Sequence, residues 1–360
     1  MIAPAALPQD TQGWMKQMER LNFASDYLEG AHPAILRRLM ETNLEKTSGY
    51  GTDPYSESAR AKIRTACAAP EAEIHFLVGG TQANATVIDA LLRRWQGVIS
   101  AASGHIATHE AGAVEASGHK VLTLPQRQGK LSAGDVRQAI EAWRGDDNRD
   151  HMVMPGMVYI SQPTESGGLY SLRELEALSA VCRGAGIPLY ADGARLAYAL
   201  ACPENDVTLP DLARLCDAFY IGGTKCGALF GEAVVFPRPG IAPHFFTIVK
   251  QHGALLAKGR MAGLQFDTLF TDGLYLRVGE AAIRAAGLIR AALQRKGYTL
   301  VMENPTNQIF ILLDREQAAR LTARAELSFW EQPDPEHTVM RIATSWATTQ
   351  AQTEALIACL

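Results

Sequence analysis

Short apolar runs that stop at glycine or a polar residue recur along the first two thirds of the chain. Helix-length stretches separate most of them. Residues 74–78, 98–101, 121–124, 157–161, 189–191 and 218–221 have strand length and strand composition. Residues 82–94, 133–143 and 172–185 carry apolar side chains at helical spacing between those runs. Few folds accept this alternation. A strand, a helix and another strand pack as a parallel pair with the helix across one face, so an α/β domain with a mostly parallel sheet is expected. A further run, 233–236, follows 218–221 after too short a connection for a crossover helix and is expected to be antiparallel, making a seven-stranded sheet.

Beyond the Pro-rich residues 237–239 the pattern changes. Residues 245–261 and 274–296 read as helices, 309–313 and 339–342 as strands, and 316–324 as a helix between them. Near the start, 33–45 and 57–68 read as helices around the glycine-punctuated loop Ser48–Pro54, and residues 1–22 as a loose arm with one short helix. The expected organisation is an N-terminal arm over 1–30, a large α/β domain over 31–240 and a smaller α+β domain over 241–360.

The formal net charge of −4 over 360 residues leaves no basic footprint for nucleic acid. No apolar run is long enough to span a bilayer, and the first residues lack a basic region followed by an apolar core. The six cysteines have no CxxC spacing and read as reduced thiols, which suits a cytoplasmic protein.

The polar residues of interest lie just past strand ends. Gly80 and Thr81 follow the first strand and open a helix whose free N–H groups suit a phosphate. His105 follows the second, and Gln162, Thr164 and Glu165 follow the fourth. Asp192 and Arg195 follow the fifth, and Thr224 and Lys225 the sixth. Open α/β sheets bind ligands at that edge. His119 and Lys120 precede their strand and are expected on the opposite edge as solvated residues. A lysine among small and apolar neighbours is a candidate amine nucleophile for carbonyl chemistry, since burial lowers its pKa. A carboxylate at the neighbouring strand end is the partner that the ring nitrogen of pyridoxal 5'-phosphate requires. Asp192 serves equally well as a helix cap. His105 suits either a ring lying flat on a cofactor or a base. Arg195 and Arg341, with Ser25, suit a carboxylate held by two-point hydrogen bonding, the alternative being surface ion pairs. Arg260 suits a phosphate or simply decorates a helix. His105 and His109, four apart and followed by Glu110, have metal-ligand spacing, but there is no HExxH and no third ligand nearby, so no metal is expected.

The strings FASDY, YGTD, GGTQAN, HxxxxEAG, SQPTE, ADGAR, GGTKCG and RIATSWATT together resemble the low-specificity L-threonine aldolase family and its close relative L-phenylserine aldolase. The resemblance runs in family order from about Phe23 to the C-terminus. It implies a fold-type-I enzyme dependent on pyridoxal phosphate and a homotetramer built from dimers with shared active sites. By motif, Lys225 resembles the Schiff-base lysine, Asp192 the pyridinium partner and His105 the ring-stacking histidine. Arg195, Arg341 and Ser25 resemble the carboxylate binders. Gly80, Thr81 and Arg260 resemble the phosphate binders, with Gln82 and Thr224 beside them. Tyr50 and Asp53 belong to the YGxD loop, expected to reach substrate. Some members carry a histidine, proposed to act on the β-hydroxyl, where this chain has Glu165. Gly259 replaces the methionine that precedes the arginine of the KxR segment.

The activity expected is retro-aldol cleavage of L-threonine, L-allo-threonine or a related β-hydroxy-α-amino acid to glycine and an aldehyde, with Glu165 favoured as base over His105 or a water held between them. The alternatives are another lyase or racemase on the same scaffold and, from another class, a cofactor-free small-molecule binding protein.

Overall fold

The computed structural model describes residues 20–360. The arm expected over 1–22 lies outside the described residues as far as residue 19. A seven-stranded sheet organises the larger part of the molecule. Its strands are β1 (Glu73–Leu77), β2 (Gln96–Ala101), β3 (Val121–Leu124), β4 (Met154–Ser161), β5 (Leu189–Asp192), β6 (Ala218–Gly222) and β7 (Glu232–Phe236). Their spatial order is β1-β7-β6-β5-β4-β2-β3. The pairs from β6 through to β3 are parallel. β7 runs antiparallel to both β6 and β1, as the short connection after β6 requires.

Both faces of the sheet are covered, so its central strands are apolar throughout rather than alternating with polar residues. The pleat still divides them. Phe219 and Ile221 face one core with Ile99, Ile160 and Val235. Ala218 and Tyr220 face the other with Val98, Tyr159 and Val234. Three helices from the alternating region bear on the site: α1 (Gly80–Leu91), α2 (His105–Thr108) and α3 (Leu172–Ala185). α3 starts at a reciprocal cap between Ser171 and Glu174 and stops at Gly186, whose φ of +71° favours glycine.

The single helix expected over 245–261 is two, α4 (Phe245–Gln251) and α5 (Arg260–Leu269). Gly253 at φ +64° carries the chain out of the first. α5 packs across Pro54–Ala66, and its Phe266 and Leu269 join the core of the large sheet. So do Leu274, Tyr275, Val278 and Ala282 of the long helix α6 (Leu274–Arg295). Further along α6, Ala286, Ile289 and Leu293 belong instead with Phe23, Ile309 and Ile342. Core packing therefore divides inside α6, later than the division expected after residue 240, because one long apolar stripe serves both cores.

The smaller sheet is antiparallel: β8 (Gln308–Asp314), β9 (Ser328–Asp334) and β10 (His337–Ala343), with Thr299–Leu300 at one edge. Leu21–Asn22 pairs in parallel with Ala325–Glu326, which stitches the start of the described chain to this region. His119, expected to be solvated, is 4 % exposed, with its ring between the Gln96 carbonyl and Asp89. Among the described residues, no helix is long and apolar enough to cross a membrane.

Candidate active site

β5 and β6 end side by side, and glycines make that approach possible. A Cβ on Gly193 would lie 2.0 Å from the Tyr220 carbonyl, and one on Gly222 would lie 2.3 Å from the Ala194 carbonyl. The result brings Asp192, at the end of β5, and Lys225, three residues past β6, to one edge of the sheet.

Asp192 is almost fully buried. Its Oδ2 accepts hydrogen bonds from the Tyr159 hydroxyl (2.6 Å) and Asn84 Nδ2 (3.0 Å). Its Oδ1 accepts from the Tyr220 hydroxyl and the Ala194 N–H. Burial alone would push its pKa up, yet His105 and the donated hydrogen bonds outweigh burial and hold it below the usual value. Asp192 is therefore a fixed anion. Lys225 is the converse: burial and the Arg195 charge lower its pKa against the pull of Asp26, Asp192 and Glu232. Its neutral, nucleophilic form is favoured relative to a solvated lysine. The Tyr198 hydroxyl donates to the Lys225 carbonyl and pins its backbone.

Lys225 opens into a cavity of about 550 Å3. Tyr27, His105, His109, Glu165, Arg195 and Arg341 also line it. His105 stands at the first turn of α2, and its Nδ1 lies 2.7 Å from Glu110 Oε1. That oxygen also accepts from Asn84 Nδ2, which bridges to Asp192. The His105 backbone N–H donates to Glu165 Oε1 at 2.9 Å, so a second carboxylate fixes the turn. Glu165 Oε1 accepts from the Ser161 hydroxyl as well, and burial raises the Glu165 pKa despite that bond.

The three expected carboxylate binders meet at the far wall. Arg195 gives Nε and Nη2 to Asp26, whose other partner is Asn307, leaving Nη1 for the cavity. The Arg195 and Asn307 donors outweigh burial and hold the Asp26 pKa down at about 2. Arg341 donates from Nη1 to Gln308 and from Nη2 to the Ala24 carbonyl. Its Nε and the Ser25 hydroxyl are buried without partners among the described residues. Unsatisfied buried donors are costly and mark places where a ligand acceptor fits.

α1 begins at Gly79 with no side-chain cap. The first-turn N–H groups at Gly80, Thr81 and Gln82 accordingly stand open for an anion. The Gln82 side chain accepts from the Val78 N–H, and Thr224 Oγ1 accepts from the Gly231 N–H. Glu232 lies under this edge, buried, accepting from the Gly223 N–H, with its pKa pushed by burial up to about 8.

Asp53, Tyr50 and Arg260 are engaged elsewhere and do not line this cavity. Asp53 is buried as the N-cap of Pro54–Ala66, with both carboxylate oxygens on Ser56. Tyr50 is half exposed, with Lys250 Nζ 4.9 Å from its ring centre. Arg260 donates to the Thr42 and Asn43 carbonyls. Tyr50 and Arg260 are neighbours through the Tyr50 N–H bond to the Ala257 carbonyl, so the YGTD loop and the KGR segment form one unit apart from Lys225.

Asp26, Asn84, Glu110, Tyr159 and Tyr220 complete the candidate site, and of these the sequence drew attention only to Glu110, and only for metal-ligand spacing. The first three lie inside FASDY, GGTQAN and HxxxxEAG. The tyrosines sit within buried strands, where a hydroxyl in place of phenylalanine signals a buried partner.

The beta-eliminating lyase family model matches residues 22–326. A low specificity L-threonine aldolase of Pseudomonas aeruginosa is 31% identical over 84% of this chain and 87% of its own length. A protein of the same name from Saccharomyces cerevisiae is 26% identical over 83% of this chain and 76% of its own. Among solved structures, threonine aldolase of Leishmania major superposes with a TM-score of 0.91 at 40% identity, over 94% of this chain and 97% of that one. Aspartate aminotransferase of Thermus thermophilus, at 16% identity and a TM-score of 0.69 over 97% and 93%, shares the fold.

Proposed function

The chain belongs to the beta-eliminating lyase family, and from that membership we propose that it cleaves L-threonine, L-allo-threonine or a related β-hydroxy-α-amino acid to glycine and an aldehyde with pyridoxal phosphate as cofactor. The observation that carries the reading is Lys225 and Asp192 at adjacent strand ends on one edge of the sheet, the amine shifted toward its neutral form and the carboxylate toward its anion. The donor set fits the cofactor. Lys225 would hold its carbonyl carbon, and Asp192 would keep its ring nitrogen protonated. His105 would lie against its ring. The open N–H groups at Gly80, Thr81 and Gln82, with Thr224, would take its phosphate. When bound, it supplies an electron sink for the pair released at Cα.

The rest is the work of this chain's own groups. Arg341 Nε and Ser25 Oγ offer unpartnered donors for the substrate carboxylate, with Arg195 Nη1 beside them. Two-point holding sets which substituent on Cα stands perpendicular to the ring, and so which bond breaks. Glu165 and Glu110 hold the His105 turn from its backbone and its ring. We assign Tyr50, Asp53 and Arg260 to the site of a second copy, in a homotetramer with shared active sites. Their separation from Lys225 within one chain supports this. Six free thiols, five of them buried, support a cytoplasmic, reducing setting.

Purified protein with added cofactor should release an aldehyde and glycine from L-threonine, L-allo-threonine or L-phenylserine. Pyruvate and ammonia, or the enantiomer alone, would reject cleavage in favour of elimination or racemisation. A monomer by light scattering, fully active at the same concentration, would reject the shared site.

A further inference from the structure

Retro-aldol cleavage needs a base at the β-hydroxyl, because that oxygen becomes a carbonyl as Cα–Cβ breaks. The titratable groups around the cavity differ in how far their atoms are already engaged. His105 Nδ1 is bound to Glu110. Glu165 Oε1 already accepts two hydrogen bonds, from the His105 N–H and the Ser161 hydroxyl. Lys225 is committed to the cofactor in the proposed function. Arg195 and Arg341 stay cationic.

His109 is different. It ends the α2 turn, lines the same cavity and is exposed to it. Among the described residues, neither of its ring nitrogens has a hydrogen-bond partner. Its ring lies beside two others, His105 at 5.7 Å and Trp330 at 6.3 Å between centroids. Trp330 is itself braced edge-on by Phe310 at 4.7 Å and lies against the Arg341 guanidinium. An imidazole with free nitrogens on the same cavity as Lys225 and Arg341 is what a base for this step requires.

We propose that His109 is the general base that removes the proton of the substrate's β-hydroxyl, an assignment that rests on the aldolase reading above. The proton passes from the hydroxyl to an imidazole nitrogen of His109. The O–H pair becomes the second bond of the aldehyde carbonyl, the Cα–Cβ bond breaks, and its pair remains on Cα. Glycine needs one proton at Cα, which water supplies, and the imidazolium releases to water the proton it took, so the balance closes. Burial, His105 and Arg341 all lower the His109 pKa, which keeps the ring neutral and able to accept a proton near pH 7. The titratable and charged groups facing it are Tyr27, His105, Glu165, Arg195, Lys225 and Arg341.

The test compares wild type, His109→Phe, His109→Gln and Glu165→Gln as holoenzymes. Cleavage of L-threonine, followed by aldehyde release, is set beside exchange of the glycine Cα hydrogen with deuterium. That exchange needs no β-hydroxyl base. Both His109 variants should lose about 100-fold or more in kcat/KM for cleavage. They should keep glycine exchange, cofactor affinity of the apoprotein and Tm close to wild type. The acidic limb of the pH profile, which lies below the ordinary histidine value in wild type, should vanish with His109→Phe. Cleavage within threefold of wild type in His109→Phe, or an equal fall in cleavage and exchange, would overturn the assignment. So would loss of the acidic limb in Glu165→Gln alone. A wild-type protein that releases no aldehyde from any of these substrates would overturn the aldolase reading and this assignment with it.

Discussion

Arg195 holds Asp26 by two nitrogens, Nε at 2.5 Å and Nη2 at 3.0 Å, with both side chains removed from solvent. The pair shapes the wall beside Ser25 and Arg341. Removing one member leaves the other charge buried without its partner, which costs about 3–5 kcal/mol. Asp26→Asn should therefore lower unfolding free energy by that order in urea at pH 7. The pH dependence has a definite sign. A carboxylate whose folded pKa is depressed to about 2 contributes stability above its ordinary value of 3.8, and loses it as pH falls from there toward 2. The gap between wild type and Asp26→Asn should narrow over that window. A gap that stays constant from pH 5 to pH 2 would show that the pair contributes nothing through charge.

The role proposed for Asp192 rests on its negative charge. Asp192→Asn keeps size and one acceptor oxygen while removing the anion. Cofactor should still bind, as read by absorbance, and turnover should fall by orders of magnitude. Near-normal turnover would reject its role at the ring nitrogen.

Lys225→Ala should abolish both turnover and the cofactor link that borohydride makes permanent. Mass spectrometry of the reduced protein reads this directly, and a labelled peptide surviving the substitution would point to a different lysine.

Arg341→Lys retains charge and gives up the planar fork. kcat/KM should fall, and the share of racemised substrate should rise, because the carboxylate no longer fixes which bond stands upright. An unchanged rate and product ratio would return Arg341 to a purely structural role.

Glu232 should make the protein less stable as pH rises through neutrality. Its folded pKa is pushed up to about 8 from an ordinary 4.5, so stability is fully present below 4.5 and declines toward 8. The slope is about 1.4 kcal/mol per pH unit. Glu232→Gln, neutral at every pH, should flatten that slope in the apoprotein. An identical pH profile for the variant would place Glu232 as an anion throughout.

The sheet was legible because its signals are local. Apolar runs ended by small residues identify β1 to β7, and one short connection identifies the antiparallel β7. β9 escaped because it is an exposed edge with charges and a proline in its run, SFWEQPD, so no burial periodicity marks it. The strand-end positions of Asp192 and Lys225 were legible for the same local reason. Asp26 and Glu110 were not, since each acquires its meaning from a partner on another element, Arg195 for the first and Asn84 for the second. The engagement of Arg195 by Asp26 is likewise invisible in a linear string.

The stitch between the first and last strands has a temporal consequence. Ala24 receives its bond from Arg341 across 317 residues of chain, and Phe23 bonds both Glu326 and Ala343. Asp192 and Lys225, by contrast, lie close in sequence on neighbouring strands. On a ribosome, which delivers about 5–20 residues per second, the cofactor half of the cavity has all its parts well before the substrate half does. The segment carrying Ser25 and Asp26 leaves the exit tunnel long before Arg341 does and waits for it to find its place. Closing so long a loop carries an entropic cost that only the completed C-terminal sheet offsets. Shortening the chain from its C-terminal end should therefore remove substrate recognition before it removes the lysine–aspartate pair.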